Sequence, residues 1–207
     1  MIQLYGLRLS NYYGLIKALL IDKGLDFEEV KAPPTQKDDN LARTPMGKMP
    51  SIGVDGKYLS ESLAIAHYLE AIAPAPALLP SDPWQAAKVM ELVYHIKLDV
   101  ELVARRCLPE ALFGQSVSEE TKTSTQAELQ RGLAAVNRII VCDPYAAGNT
   151  LTLADYYLYF CYGLADVISR KMFDESIIAQ NPDIAALMQK LAAHPSIARV
   201  DAEQAEK

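Results

Sequence analysis

The chain has 207 residues, half of them apolar, with three cysteines and a net charge of −6. That is enough chain for one large or two small domains whose core needs no metal and no disulfide. An acidic balance without clustered Lys and Arg speaks against nucleic acid as a main partner, and no apolar run reaches the length of a bilayer, so no membrane partner is expected.

In chain order, IQLY is a short apolar strand. YGLIKALLIDKG carries apolar residues at helical spacing and stops on Gly24, a C-cap signal. FEEVKA reads as a second, brief strand. PPTQKDDNLARTPMGK is polar and broken by prolines, a loop with one turn of helix around Lys37 to Ala42. PSIGV-DGK-YLS is a hairpin with Asp55-Gly56 at its tip, and SLAIAHYLEAIA is an amphipathic helix. The order β-α-β-(α)-β-β-α predicts a mixed sheet with helices on its faces.

Composition then shifts. APAPALLPSDP, from Pro74 to Pro83, reads as a linker, and every later segment has a helical pattern. WQAAKVMELVYHIKLDVELVARRCLPEALF predicts one long amphipathic helix. SEETKTSTQAELQRGLAAVNRIIV starts a second, with Ser118 as N-cap and acidic residues in its first turn. In TLADYYLYFCYGLADVI, Thr152 and Asp155 form a capping box ahead of a helix apolar on nearly every face, which is expected to be central. NPDIAALMQKLAAH and PSIARVDAEQAEK complete the chain. The expected fold class is therefore α/β plus all-α.

The N-terminus MIQLYGLRLS lacks the charged and apolar regions of a signal peptide. Cys107, Cys142 and Cys161 are far apart and show no metal-ligand spacing. A cytoplasmic location, buried thiols and no bound metal are expected.

Two local features carry chemistry. Pro50 stands at the start of a strand, and Glu61-Ser62 stands at a helix entrance one hairpin later. Alone, Pro50 could be ordinary strand punctuation and Glu61-Ser62 a helix cap. In sequence, LYGLRLSNYYGLIKALLIDKGLDFE, GKMPSI, LSESLAIAHYLE, LTLADYYLY and HPSIARV together resemble the cytosolic glutathione transferases over nearly the whole chain. The resemblance implies a thioredoxin-like, glutathione-binding domain at 1–76. It implies an all-helical domain at 84–207 that shapes the site of a small electrophilic co-substrate.

It also implies roles. A cis bond before Pro50 would turn the backbone of Met49 outward, to pair with glutathione as an added strand. Ser62, at a helix N-terminus, would hold the γ-glutamyl carboxylate, Glu61 the ammonium group, and Lys48 the glycyl carboxylate. In the loop GLRLSNYYG, Ser10 aligns with the catalytic serine of serine-type members, and Asn11 matches the asparagine of some bacterial members. Ser10 could equally serve as the N-cap of the first helix. Many serine-type members read Ser-Pro where this chain reads Ser-Asn, so Ser10 and Asn11 both stand as thiolate donors. No cysteine is present in the loop, which disfavours mixed-disulfide chemistry. Tyr94, His95, Asp99, Arg105 and Arg106 on the first long helix are candidates to face the electrophile.

The resemblance further implies a homodimer that uses reduced glutathione as co-substrate. Two alternatives remain at this stage. One is glutathione-dependent disulfide reduction or isomerisation on the same site. The other is a non-catalytic binding module of the same fold.

Overall fold

The computed structural model describes residues 1–206. They form two compact units, Met1–Leu78 with the segment from Ala193 onward, and Leu79–Ala192.

The first unit is built on four strands, β1 (Ile2–Gly6), β2 (Phe27–Lys31), β3 (Ser51–Val54) and β4 (Lys57–Ser60), in the order β2-β1-β3-β4. β1 and β2 are parallel, joined by the crossover helix α1 (Asn11–Asp22), while β3 is antiparallel to both β1 and β4. The β3–β4 turn uses Asp55 and Gly56 at φ 49° and 75°, the left-handed pair that matches the twist of a two-residue hairpin. α1 ends where Gly24 takes φ 60° and the Leu25 N–H reaches back to the Leu20 carbonyl, a Schellman closure.

A single turn, α2 (Asp38–Leu41), lies between β2 and β3, and α3 (Ser62–Ile72) follows β4. α1 packs on α3, and Leu4, Leu15, Ile16, Leu19, Leu20, Ile52, Ile65 and Leu69 are buried.

The second unit is helical. α4 (Pro83–Tyr94) runs on through a π-helical stretch (His95–Glu101), α5 (Leu102–Ala104), a 3₁₀ turn (Arg105–Cys107) and α6 (Leu108–Phe113). The long helix expected from sequence is thus present but interrupted in its hydrogen bonding. α7 (Glu119–Ile139) is capped by Ser118, whose hydroxyl accepts from the Thr121 N–H at 3.2 Å. At Gly132 of α7, a Cβ would stand 2.1 Å from the Asp99 carbonyl oxygen, so this crossing admits no side chain.

The central element is α8 (Leu153–Tyr157), continued by π turns (Leu158–Tyr162) and α9 (Gly163–Phe173), then α10 (Pro182–Ala192). Every residue from Thr152 to Leu158 is buried. The last helix, α11 (Pro195–Ala205), belongs to the first unit, whereas the proline linker read from sequence grouped it with the helical domain. The reason is contact with α1: the Ser196 hydroxyl donates to Asp22 at 2.8 Å, and Glu203 pairs with Lys17.

Asp155 is fully buried and accepts from the Thr152 N–H and the Ala146 N–H, each at 2.8 Å. Asp155→Ala would orphan two buried N–H groups, so a loss of roughly 2–4 kcal/mol is expected. Urea unfolding checks it; a loss below about 0.5 kcal/mol would show that the box contributes nothing beyond geometry.

Candidate active site

The strand register builds the site. Tyr5 pairs with Ser51 and Ser51 with Ser60, so the end of β1, the start of β3 and the end of β4 stand side by side. The segments just beyond them therefore emerge at one end of the sheet: the loop Leu7–Ser10, the Lys48-Met49-Pro50 step, and Glu61-Ser62. From β1 to β4 is two strand spacings, about 10 Å. An extended tripeptide at about 3.4 Å per residue has the same reach.

In the middle of this row the Met49–Pro50 bond is cis. Met49 lies against Gly6, where a Cβ would be 3.5 Å from its own. Among the described residues, none hydrogen-bonds to the Met49 backbone N–H or carbonyl, which leaves both for an added strand. Lys48 is exposed.

At one end of the row, Glu61 takes φ 69° and ψ 118°, a conformation costing a non-glycine residue about 1–3 kcal/mol. Its carbonyl accepts the first helical bond, from the Ile65 N–H at 2.9 Å, but its side chain does not cap α3. The helix-cap reading of Glu61 thus holds for the backbone and not for the carboxylate, which is exposed at the helix entrance. Ser62 is buried in the first turn, where the helix dipole favours an anion.

At the other end, Ser10 is the N-cap of α1, with its hydroxyl oxygen accepting from the Tyr13 N–H at 3.4 Å. A hydroxyl has one proton and two lone pairs, so this capping bond leaves the proton to be donated. Asn11, half-buried, opens the helix beside it. Tyr13 points elsewhere: it is buried, and its hydroxyl donates to Glu29 at 2.6 Å.

Around Tyr13 lies a cluster that sequence reading missed. Lys17 is 2% exposed and pairs with Glu29 at 2.7 Å and with Glu203 of α11. Arg8, within the Ser10 loop, pairs with Glu29 at 2.9 Å and approaches Glu203 at 3.7 Å. Arg199 binds Glu203 at 2.8 Å. A lysine inside the apolar run GLIKALL, four residues after Tyr13, was the available signal, because a buried ammonium requires an acid.

The cysteines stand apart from this chemistry. All three are free, with Cys107 and Cys161 buried. Burial raises the Cys107 thiol and pushes Cys142 up to about 11. Of the helical-unit candidates, His95 pairs with Asp99 at 2.7 Å, Arg105 with buried Glu101, and Arg106 with Glu128 at 2.7 Å, while Tyr94 is half-exposed.

The sequence profile of the glutathione S-transferase N-terminal domain matches residues 4–77, and that of the C-terminal domain matches residues 110–202. A glutathione S-transferase of Pseudomonas putida is 39% identical over 99% of this chain and 93% of its own length. A bacterial maleylpyruvate isomerase, described as a zeta-class glutathione S-transferase, superposes with a TM-score of 0.75 at 25% identity, covering 96% of this chain and 95% of that one. A Sulfitobacter glutathione transferase homologue solved with bound glutathione has the same fold, with a TM-score of 0.75 at 23% identity over 98% of each chain.

The Tyr13–Glu29–Lys17 cluster sets a pH dependence. Burial pushes the Glu29 carboxyl upward, but hydrogen bonds from Lys17, Tyr13 and Arg8 outweigh it and hold the group at about 2. An unfolded glutamate titrates near about 4.3, so between these values the unfolded chain binds the extra proton. The stabilisation is complete above the unfolded value and is lost as pH falls toward the folded one. Urea midpoints measured across that window are expected to fall more steeply for wild type than for Glu29→Gln; parallel curves would show that Glu29 is not selectively ionised.

Proposed function

Because the chain belongs to the cytosolic glutathione S-transferase family, we propose that its own residues at the end of the sheet carry that family's chemistry as follows. The chain is a glutathione transferase, which activates the thiol of reduced glutathione for attack on an electrophilic co-substrate. Met49 pairs through its backbone with the tripeptide. Ser62 and the N-terminus of α3 take the γ-glutamyl carboxylate, Glu61 the ammonium group, and Lys48 the glycyl carboxylate. The observation that carries this reading is the register, which brings the loop at Ser10, the open backbone of Met49 and the strained Glu61 into one row of tripeptide length.

Ser10 donates its hydroxyl proton to the sulfur, with Asn11 as the neighbouring donor. A free thiol titrates near about 8.5, so only a small fraction is thiolate at neutral pH. One hydrogen bond to the charged form, with the N-terminus of α1 nearby, lowers this by about one to two units. The thiol proton passes to solvent. The sulfur lone pair forms a C–S bond to the electrophilic carbon, and that carbon expels its leaving group or passes an electron pair to an adjacent acceptor.

Residues 1–76 hold glutathione in this scheme, and the helical part from residue 84 supplies surface for the small electrophile. A cytoplasmic homodimer is the assembly we propose. Cys107 and Cys161 are buried while Cys142, expected buried, is half-buried, and none forms a disulfide, which supports a reducing location. No helix among the described residues is long and apolar enough to cross a membrane.

The ultraviolet thiolate signal of bound glutathione, followed against pH, tests the donor. The bound thiol is expected to titrate about one to two units below its free value in wild type and to return toward it in Ser10→Ala. An unshifted wild-type thiol would make the site a holder rather than an activator. Ser62→Ala is expected to weaken glutathione binding by about 1–3 kcal/mol in calorimetry, through loss of a hydrogen bond to a charged group; unchanged affinity would remove Ser62 from the clamp.

A further inference from the structure

Ser10 is flanked by two residues that do not hold themselves in place. Arg8, two positions before it, is fixed by Glu29 through both its Nε and a terminal nitrogen, and its other nitrogen donates to the Glu203 backbone carbonyl at 3.4 Å. Tyr13, three positions after it, gives its N–H to the Ser10 hydroxyl oxygen and its own hydroxyl to Glu29. Its ring is wedged beneath Gly6, where a Cβ would lie 2.5 Å from the ring edge. Gly6 at φ 155° is the residue from which the Ser10 loop departs. Both flanks thus converge on Glu29.

Glu29 is in turn oriented from behind. Its partner Lys17 is almost wholly buried and is shared with Glu203, which also receives Arg199. Three cations meet two carboxylates here, and Lys17 is the buried one, so deleting Glu203 leaves its ammonium a single carboxylate partner, Glu29. Without Glu203, Lys17 is left to Glu29 alone, the same carboxylate that holds Arg8 and Tyr13 on either side of Ser10.

We propose that Glu203 of α11, acting through Lys17, Glu29, Arg8 and Tyr13, is a positioning residue for the thiol-activating loop, so that the last helix of the chain sets the aim of the Ser10 hydroxyl. The inference rests on Ser10 being the donor. It assigns no contact with glutathione to Glu203. A shift of 1 Å at a reacting group costs up to about a hundredfold in rate, and a loosened loop should cost part of that.

The test compares Glu203→Gln, Glu203→Asp, Tyr13→Phe and Ser10→Ala, each as the full chain. Readouts are the thiolate titration of bound glutathione and the split between kcat and KM with a chromogenic aryl halide. Glu203→Gln and Tyr13→Phe are expected to move the bound thiol toward its free value and to lower kcat about tenfold. KM for glutathione is expected to stay nearly unchanged, since Met49, Glu61 and Ser62 are untouched. Glu203→Asp should restore part of both effects. Tyr13→Phe keeps the ring and decides the matter if a Glu203 variant does not fold.

A normal thiolate titration in both folded variants, with Ser10→Ala shifted, would overturn this inference and leave the donor assignment standing. A Ser10→Ala protein that titrates like wild type would overturn the donor assignment, and this inference with it.

Discussion

The position of β3 between β1 and β4 is the constraint from which the site follows. Because β3 is antiparallel to both neighbours, its entrance lies beside the exits of the other two. One end of the sheet therefore gathers three chain segments that are distant in sequence, and it does so through backbone hydrogen bonds alone. Side chains then need only local rules. Pro50 stands just before β3, where a missing N–H is tolerated. Ser10 is the N-cap of one helix and Ser62 the first residue of another, and both stand at this end of the sheet. A register slip of one residue would turn each of these outward together with the core face of the strand.

This geometry reconciles an acidic protein with an acidic ligand. The net charge of −6 would repel a tripeptide anion if the charges acted as a whole. In solution at physiological salt, though, exposed charges are screened beyond about 8 Å. In the proposed site the field is local: two helix N-termini and Lys48 line the rim, and behind it stands the cluster at Arg8, where cations outnumber carboxylates. In the helical unit, burial raises the Cys107 and Cys142 thiols above their ordinary range.

Much of this was legible from sequence, for definable reasons. Elements marked by punctuation were readable: Asp55-Gly56 for the hairpin, Gly24 for the end of α1, Thr152 and Asp155 for the box that opens the central helix. Ser10, Met49, Pro50, Glu61 and Ser62 could be picked out as candidates because each sits at an element boundary, where residue type and backbone role are tied; their roles toward glutathione are proposals. The π-helical stretches were not, because a window keyed to a 3.6-residue period cannot show one residue slipped into a helix. The grouping of α11 with the sheet was hidden for a different reason. It depends on Lys17 meeting Glu203, a pair 186 positions apart, and nothing in HPSIARVDAEQAEK marks Glu203 above its neighbours.

In the proposed scheme Ser10 carries two duties, and the chemistry of its side chain explains how they fit together. As an N-cap it needs a lone pair for the Tyr13 N–H; as an activator it needs a proton for the sulfur. Serine, threonine and asparagine have both. Aspartate caps at least as well but has no proton to give when ionised, and its charge would oppose a thiolate beside it. Glycine would tolerate the backbone and give nothing. Capping and activation therefore do not compete here, because they use opposite ends of one hydroxyl. What can fail is its direction. A hydroxyl is only as well aimed as the residues that fix its backbone, which is the ground for the positioning role proposed for the charges behind Arg8 and Tyr13.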